Sequence, residues 1–258
     1  MAEPLLAIKG LTKFFGGLRA VSDFHLDLGQ GELVGLIGPN GAGKTTVFNL
    51  ITGMISLTSG EVRFRGESLV GLPPHRVFGR GIARTFQNIR LFKEASVEDN
   101  VKVVLDRRAG YSLPAAALRT PAMLRSEVAL RDEAQELLGI LGLGGRSDTA
   151  AKNLPYGAQR RLEMARALAG KPSLLLLDEP AAGMNPAEVR ELVTLIRDVK
   201  EKFGLSVLLI EHQMGVVMNL CPRIVVMDFG EIIAEGTPAE IQGNPKVLEA
   251  YLGRGGAA

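Results

Sequence analysis

The chain has 258 residues, 30 Lys and Arg against 28 Asp and Glu, a formal net charge of +2 and one cysteine, Cys221. That length buries a substantial core as one large domain or two small ones, and a near-neutral balance without a long basic tract offers no footprint for nucleic acid. One thiol excludes a disulfide framework within the chain and fits a reducing compartment, with Cys221 read as a small, inert, buried residue. The N-terminus carries Glu3 and Pro4 and no long apolar core, so no secretory signal is expected. No window approaches the roughly 20 apolar residues of a membrane-spanning helix, and a protein soluble by itself is expected.

Residues 5–8 and 24–28 read as strands flanking LTKFFGGLRAVSD. The apolar run 33–37 is short, bounded by glycines and rich in branched residues, which predicts a buried strand. It delivers GPNGAGKTT, which is Gly38, Pro39, Asn40, Gly41, Ala42, Gly43, Lys44, Thr45 and Thr46. These residues fit GxxxxGK followed by Ser or Thr. Glycines there let backbone N–H groups curl around phosphate oxygens, and a helix starting near Gly43 aims its positive end at them. Lys44 would reach the β- and γ-phosphates of a nucleotide, and the Thr45 hydroxyl would ligate Mg²⁺.

Residues 61–66 and 81–86 read as further strands, separated by the loop-like LPPHR. From about 88 to 144 the pattern turns helical, with apolar residues at helical spacing over 97–105 and 123–141. The stretch between those helices, 106–121, has two prolines and many small residues and reads as a loop with short helical turns. Alternation then resumes: helix 157–169, strand 174–178, helix 186–203, strand 205–211, helix 213–220 and strand 223–228. This order predicts an α/β fold with a mostly parallel sheet covered on both faces. GEIIAEG closes a hairpin, and TPAEIQGNPKVLEAYLG reads as two short helices.

LLLLDEP places Asp178 at the carboxyl end of a strand, where it can hold Mg²⁺ through water. Glu179, one residue on, is suited to orient and deprotonate an attacking water.

With these motifs in this order, the chain resembles the ATP-binding cassette (ABC) family over nearly its whole length. The resemblance implies a P-loop NTPase core with an antiparallel β subdomain and an inserted helical subdomain. The single ATP-binding domain would span 5–253: core 5–87 and 166–236, helical subdomain 88–165, helical tail 237–253. Gln87 in RTFQN stands at the family's glutamine loop, which touches Mg²⁺ or the lytic water and relays nucleotide state to a membrane partner. His212 in LLIEHQM stands at the switch histidine, which contacts the γ-phosphate and positions the water. Adenine has no charged handle and is held by stacking on an aromatic ring. Phe15 in LTKFFGG matches that position, with Phe14 as the alternative and the unused ring expected in the core. His25 and His75 have no such context and read as structural or surface residues.

The family signature LSGGQ is replaced by NLPYGAQRR, 153–161. Leu154 and Gly157 match, while Pro155, Tyr156 and Ala158 depart. In a head-to-tail dimer this element, through Tyr156 and Gly157, would meet ATP held by the second subunit. Pro155 lacks both the hydroxyl and the N–H, and Asn185 in AAGMNP stands where the family usually shows Asp. Two unequal ATP sites in a heterodimer are therefore expected. The site built on Lys44, Asp178, Glu179 and His212 would be complete and the reciprocal one weakened.

YGxQRRLExARAL, AAGMNP, GIARTFQNIRLFKEASVEDNV, the helical insertion and NPKVLEAYLG are together similar to the LivG-like ATPases of bacterial branched-chain amino-acid importers. Relatives serving urea or short amides share these features. The resemblance implies ATP and Mg²⁺, a second ABC ATPase subunit, two membrane permease subunits and, indirectly, an external or periplasmic substrate-binding protein. It places the chain peripherally on the cytoplasmic face of the inner membrane, with no nucleic-acid partner. The rival readings are the ATPase of lipopolysaccharide export, a soluble non-transport ABC ATPase and a small-molecule P-loop kinase.

Overall fold

The computed structural model describes residues 3–108 and 120–252. The chain divides into two compact units, Met1–Arg84 with Ser173–Ala258, and Thr85–Pro172.

The first unit begins with a long hairpin, β1 (Leu6–Phe15) and β2 (Leu18–Leu28). LTKFFGGLRAVSD is thus mostly strand rather than a connection. Register shifts after Ile8, Leu11 and Lys13 break the period-two alternation that marks a strand in sequence. After β3 (Leu33–Ile37) and α1 (Lys44–Ile51) come β4 (Ser59–Phe64) and β5 (Glu67–Ser68), which complete an antiparallel sheet of order β2-β1-β4-β5. LPPHR, expected as loop, opens a short helix, α2 (Pro74–Gly79). Its second proline takes the first helical position, where the missing N–H costs nothing. β6 (Ile82–Arg84) closes this half of the unit.

The second sheet has the order β10-β9-β3-β8-β7-β6. It takes its later strands from β7 (Leu174–Asp178), β8 (Ser206–Ile210), β9 (Arg223–Asp228) and β10 (Glu231–Gly236). All its neighbours pair in parallel except the β9/β10 hairpin at the edge. Every residue of β3, β7 and β8 is buried, as in a sheet covered on both faces. Leu6, Leu11 and Phe24 of the first sheet, Phe48 and Ile51 of α1, and Leu36, Leu176, Ile210 and Val225 of the second share one core. Each such side chain contributes about 1.5–3 kcal/mol on burial, so the core fixes both sheets to α1.

In the other unit, α3 (Val97–Leu105), α4 and α5 supply the core. α4 spans Pro121–Ile140 and α5 spans Tyr156–Ala169. α4 buries Leu130, Ala134, Leu137 and Leu138, spaced to lie on one helical face. The stretch expected as loop over 106–121 lies largely outside the described residues. Its described ends are a 3₁₀ turn at Asp106–Arg108 and Thr120, whose side chain caps α4. The remaining helices belong to the first unit: α6 (Pro186–Phe203), α7 (Met214–Leu220), α8 (Pro238–Gln242) and α9 (Pro245–Leu252).

Candidate nucleotide-binding site

The phosphate loop leaves β3 at Ile37 and enters α1 at Lys44. Gly38 and Gly43 have φ of 149° and 102°, in the region that favours glycine. A Cβ on Gly38 would stand 2.1 Å from the Met227 carbonyl oxygen, and one on Gly43 would stand 2.4 Å from the Ala20 carbonyl oxygen. Close backbone packing therefore demands both glycines, independently of any phosphate. The N-terminus of α1 has no side-chain cap and no acidic residue in its first turn. α3, α4, α6 and α8 start instead on Ser96, Thr120, Asn185 and Thr237, whose side chains accept the first amides. An uncapped helix start on a glycine-rich loop is suited to an anion.

Lys44 is buried and donates from Nζ to the Gly38 and Pro39 carbonyl oxygens at 2.7 and 2.8 Å. Burial lowers its pKa, against the pull of Glu179 and Asp178, which favour the charged form. Asn40, Gly41 and Thr45 are exposed, Pro39, Gly43 and Thr46 partly so, and Ala42 is buried in the loop's base.

β7 carries Asp178 to the same end of the sheet. Its carboxylate accepts from Arg84 Nη2 at 2.7 Å, the side chains being 3% and 5% exposed. Arg84 Nη1 also donates to Asn49 Oδ1 at 2.7 Å, so the guanidinium fastens the end of β7 to α1. The sequence reading had not singled out Arg84. Its partner Asp178 stands 94 residues further along the chain, so no local pattern marks the pair.

Glu179 adopts φ of 47°, uncommon for a residue with a side chain and a feature that clusters at functional sites. Its N–H donates to the Ile210 carbonyl at 2.9 Å, which holds the turn against β8. His212 follows β8, with Nδ1 3.6 Å from Glu179 Oε2. That is ion-pair reach but long for a hydrogen bond. The carboxylate is mostly covered and the imidazole half-exposed. Between them in sequence, Glu211 is wholly buried. Burial raises its pKa, and N–H groups of Ala181, Gln213 and His212 oppose that rise.

Phe15 is 48% exposed, with Lys13 Nζ 5.0 Å from its ring centroid. Phe14 is 42% exposed, so the expectation that the unused ring packs in the core is corrected. Both rings sit at the tip of the β1/β2 hairpin, where neighbouring residues point to opposite faces and neither face reaches the core.

Thr45 and Asp178 offer the hard oxygen donors that Mg²⁺ prefers. Among the described residues no three His, Cys, Asp or Glu side chains gather as a metal cage. Mg²⁺ is usually held by one or two carboxylates together with substrate phosphates, so the donors present fit a metal arriving with a nucleotide.

Gln87, Tyr156 and Gly157 lie in the other unit. Gln87 is exposed, and its carbonyl accepts from Arg160 Nη2 at 2.5 Å, while Arg160 Nη1 donates to the Phe86 carbonyl at 2.6 Å. Arg160 also donates to the Tyr156 hydroxyl, at 2.7 Å from Nη2 and 3.1 Å from Nε. Tyr156 and Gly157 open α5 behind Pro155, with no side-chain cap. Glu163 Oε1 accepts from the Phe86 and Arg90 amides at 3.2 and 3.4 Å. Arg160 and Glu163 were also not singled out by the sequence reading. Asn185, unusual for the motif it sits in, builds a full capping box with Glu188 at the start of α6, a task Asn performs as well as Asp. His25 is exposed beside Asp23, and His75 is exposed on α2.

A phosphate loop between a buried parallel strand and an uncapped helix, with two carboxylates at the end of β7 on the far side of β8, defines a P-loop nucleotide-binding ATPase. The chain belongs to the ABC transporter family, as an ATP-binding cassette: residues 21–182 match the family described as ABC transporter. Residues 231–257 match the one described as branched-chain amino acid ATP-binding cassette transporter. It is 46% identical, over 98% of its length and 99% of the other's, to the high-affinity branched-chain amino acid transport ATP-binding protein LivG of Salmonella typhimurium. The corresponding BraF protein of Pseudomonas aeruginosa is 45% identical over the same shares. A crystal structure of the ADP conformation of an ATP-binding cassette of an ABC transporter superposes with a TM-score of 0.84. It is 30% identical and covers 97% of this chain and 99% of that one. The enzyme is thus an ATPase of the transporter class with the expected P-loop α/β fold. Among the described residues no helix is long and apolar enough to cross a membrane.

Proposed function

We propose that this chain hydrolyses ATP to power an importer of branched-chain amino acids. The observation that carries the site is the gathering of Lys44, Asp178, Glu179 and His212 on strand ends of one sheet, with Glu179 and His212 3.6 Å apart. The full-length likeness to LivG and BraF favours this cargo over urea, short amides or lipopolysaccharide.

Phe15 stacks on adenine, while the amides of the phosphate loop and the α1 N-terminus receive the phosphates. Lys44 turns from the loop carbonyls to the β- and γ-phosphates. Magnesium, when bound with the nucleotide, would neutralise charge on the β- and γ-phosphate oxygens, and Thr45 and Asp178 are the residues of this unit that would hold it. Glu179 takes a proton from water as the water oxygen attacks the γ-phosphorus. The bond from phosphorus to the β,γ-bridging oxygen breaks, leaving ADP and inorganic phosphate. His212 contacts the γ-phosphate and holds the water in line.

Tyr156 and Gly157 would meet ATP on a second ABC ATPase subunit. Pro155 has no N–H to offer there, so the two sites of a heterodimer are unequal. Asn185, which caps α6, is the second departure that supports this inequality. Gln87 and its unit couple nucleotide state to two permeases at the cytoplasmic face of the membrane, and a substrate-binding protein delivers the cargo outside.

Purification from native membranes in mild detergent should recover two permeases and a second ATPase. In reconstituted vesicles the wild-type complex should take up labelled leucine on adding ATP. Glu179→Gln should keep ATP binding and cut hydrolysis by about 10²–10⁴-fold. Uptake of urea or amides but not leucine would reassign the cargo, and an undiminished Glu179→Gln rate would sink the catalytic assignment.

A further inference from the structure

Glu211 is a carboxylate with no exposed surface, placed directly after β8 where any apolar residue could have ended the strand. Withdrawing a carboxylate from water costs several kcal/mol unless hydrogen bonds replace the lost hydration. Its two oxygens divide those bonds between two loops. Oε1 accepts from the Ala181 amide at 2.8 Å, in the loop that follows Glu179. Oε2 accepts from the His212 amide at 3.1 Å and the Gln213 amide at 3.3 Å. The Gln213 side chain closes the link by donating Nε2 to the Ala181 carbonyl at 3.1 Å. The loop bearing Glu179 and the loop bearing His212 are thereby tied to one buried group.

We propose that Glu211 is a positioning residue, which holds His212 in register with Glu179 by gripping the backbone of both loops with the two oxygens of one carboxylate. The inference rests on the reading of His212 and Glu179 as the pair that acts on the γ-phosphate. Glutamine keeps the shape but has one acceptor oxygen, so Glu211→Gln can satisfy one loop and not both. Reacting groups displaced by about 1 Å lose as much as roughly 10²-fold in rate.

The test uses the purified complex with its second ATPase subunit, ATP and Mg²⁺, comparing wild type, Glu211→Gln, His212→Ala and the double variant of this chain. Glu211→Gln should lower kcat by about 10- to 100-fold with ATP affinity unchanged. In the His212→Ala background it should have no further effect, because residues that act as a unit are not additive. A double variant slower than His212→Ala by the full Glu211→Gln factor would overturn the proposal alone. His212→Ala at the wild-type rate would overturn the proposal together with the His212 reading. If Glu211→Gln does not fold, Gln213→Met carries the test, since it cuts the link to the Ala181 carbonyl without touching the buried carboxylate. A smaller fall in kcat at unchanged melting temperature and ATP affinity supports the proposal, and an unchanged kcat overturns it.

Discussion

The two units fix their polar groups in different ways. In the unit formed by Met1–Arg84 and Ser173–Ala258, Lys44, Asp178 and Glu179 follow directly from buried strands and their turns. The sheet ladder sets where each Cα stands, and a side chain such as Arg84 only orients what the backbone has delivered. In Thr85–Pro172, the segment after Arg84 runs to α3 without regular structure, and α5 holds it through side chains. Arg160 caps the Phe86 and Gln87 carbonyls, and Glu163 accepts the Phe86 and Arg90 amides. Asn100, wholly buried on α3, takes both the N–H and the carbonyl of Phe92. Backbone hydrogen bonds that a sheet provides by repetition are here provided one at a time by buried polar groups. Each such group is costly to remove, so a side-chain deletion in the second unit should free the segment it holds, whereas in the first unit the sheet ladder should keep its register even where a deletion costs stability.

The strongest break on the sheet side is Gly38→Ala. A methyl 2.1 Å from the Met227 carbonyl has no room against backbone, at a φ that disfavours any side chain. A loss above about 4 kcal/mol is expected, the range reserved for such mechanisms, with nucleotide binding lost in whatever folds. Denaturant melts and an ATP-binding assay check both.

Arg84→Met should come next. It takes the guanidinium from a carboxylate that is 3% exposed, and breaking a buried pair from one side costs about 3–5 kcal/mol. Arg160→Met tests the other unit. It strips the Phe86 and Gln87 carbonyls of their donor and leaves Glu163 to hold the Phe86 and Arg90 amides alone, so a smaller loss, about 1–3 kcal/mol, is expected together with looser amides. Its distinctive sign is faster hydrogen exchange at the Phe86 and Arg90 amides with protection in β7 unchanged. Burial already raises the Glu163 pKa against the Arg160 charge, and losing that charge should raise it further. Equal loss of protection in β7 would break the contrast between the units.

That contrast also explains what could be read from the sequence. Strands such as LLLLD and helices such as 186–203 announce themselves by apolar pattern, and Lys44, Asp178 and Glu179 could be found because short motifs fix them to strand ends. Arg84, Arg160 and Glu163 escaped because their partners lie far along the chain: Asp178 for Arg84, and backbone atoms at 86–90 for the other two. A carbonyl or amide leaves no trace in composition. Glu211 was hidden differently, inside a run read as strand, where nothing marks a carboxylate as buried. The β1/β2 hairpin was legible only at its ends because its bulges break the alternation.

The smallest effect concerns Cys221, which closes α7 and tests how firmly the first unit is held without altering it. The thiol is buried beside β3, its sulfur 3.0 Å from where a Cβ on Gly35 would lie. Burial, with Glu211 nearby, pushes its pKa up to about 12. The thiolate is the species that reacts with disulfide reagents, so near pH 8 the native thiol is both protonated and inaccessible. Labelling must then wait for α7 to leave β3 or for the chain to unfold. The expected result is negligible reaction of the native protein and prompt reaction of one equivalent in denaturant, with ATP slowing the native rate further by favouring the folded state. Prompt native labelling would mean that α7, which begins two residues after His212, opens readily. The strand ends of this unit would then be no better fixed than the loop that α5 holds.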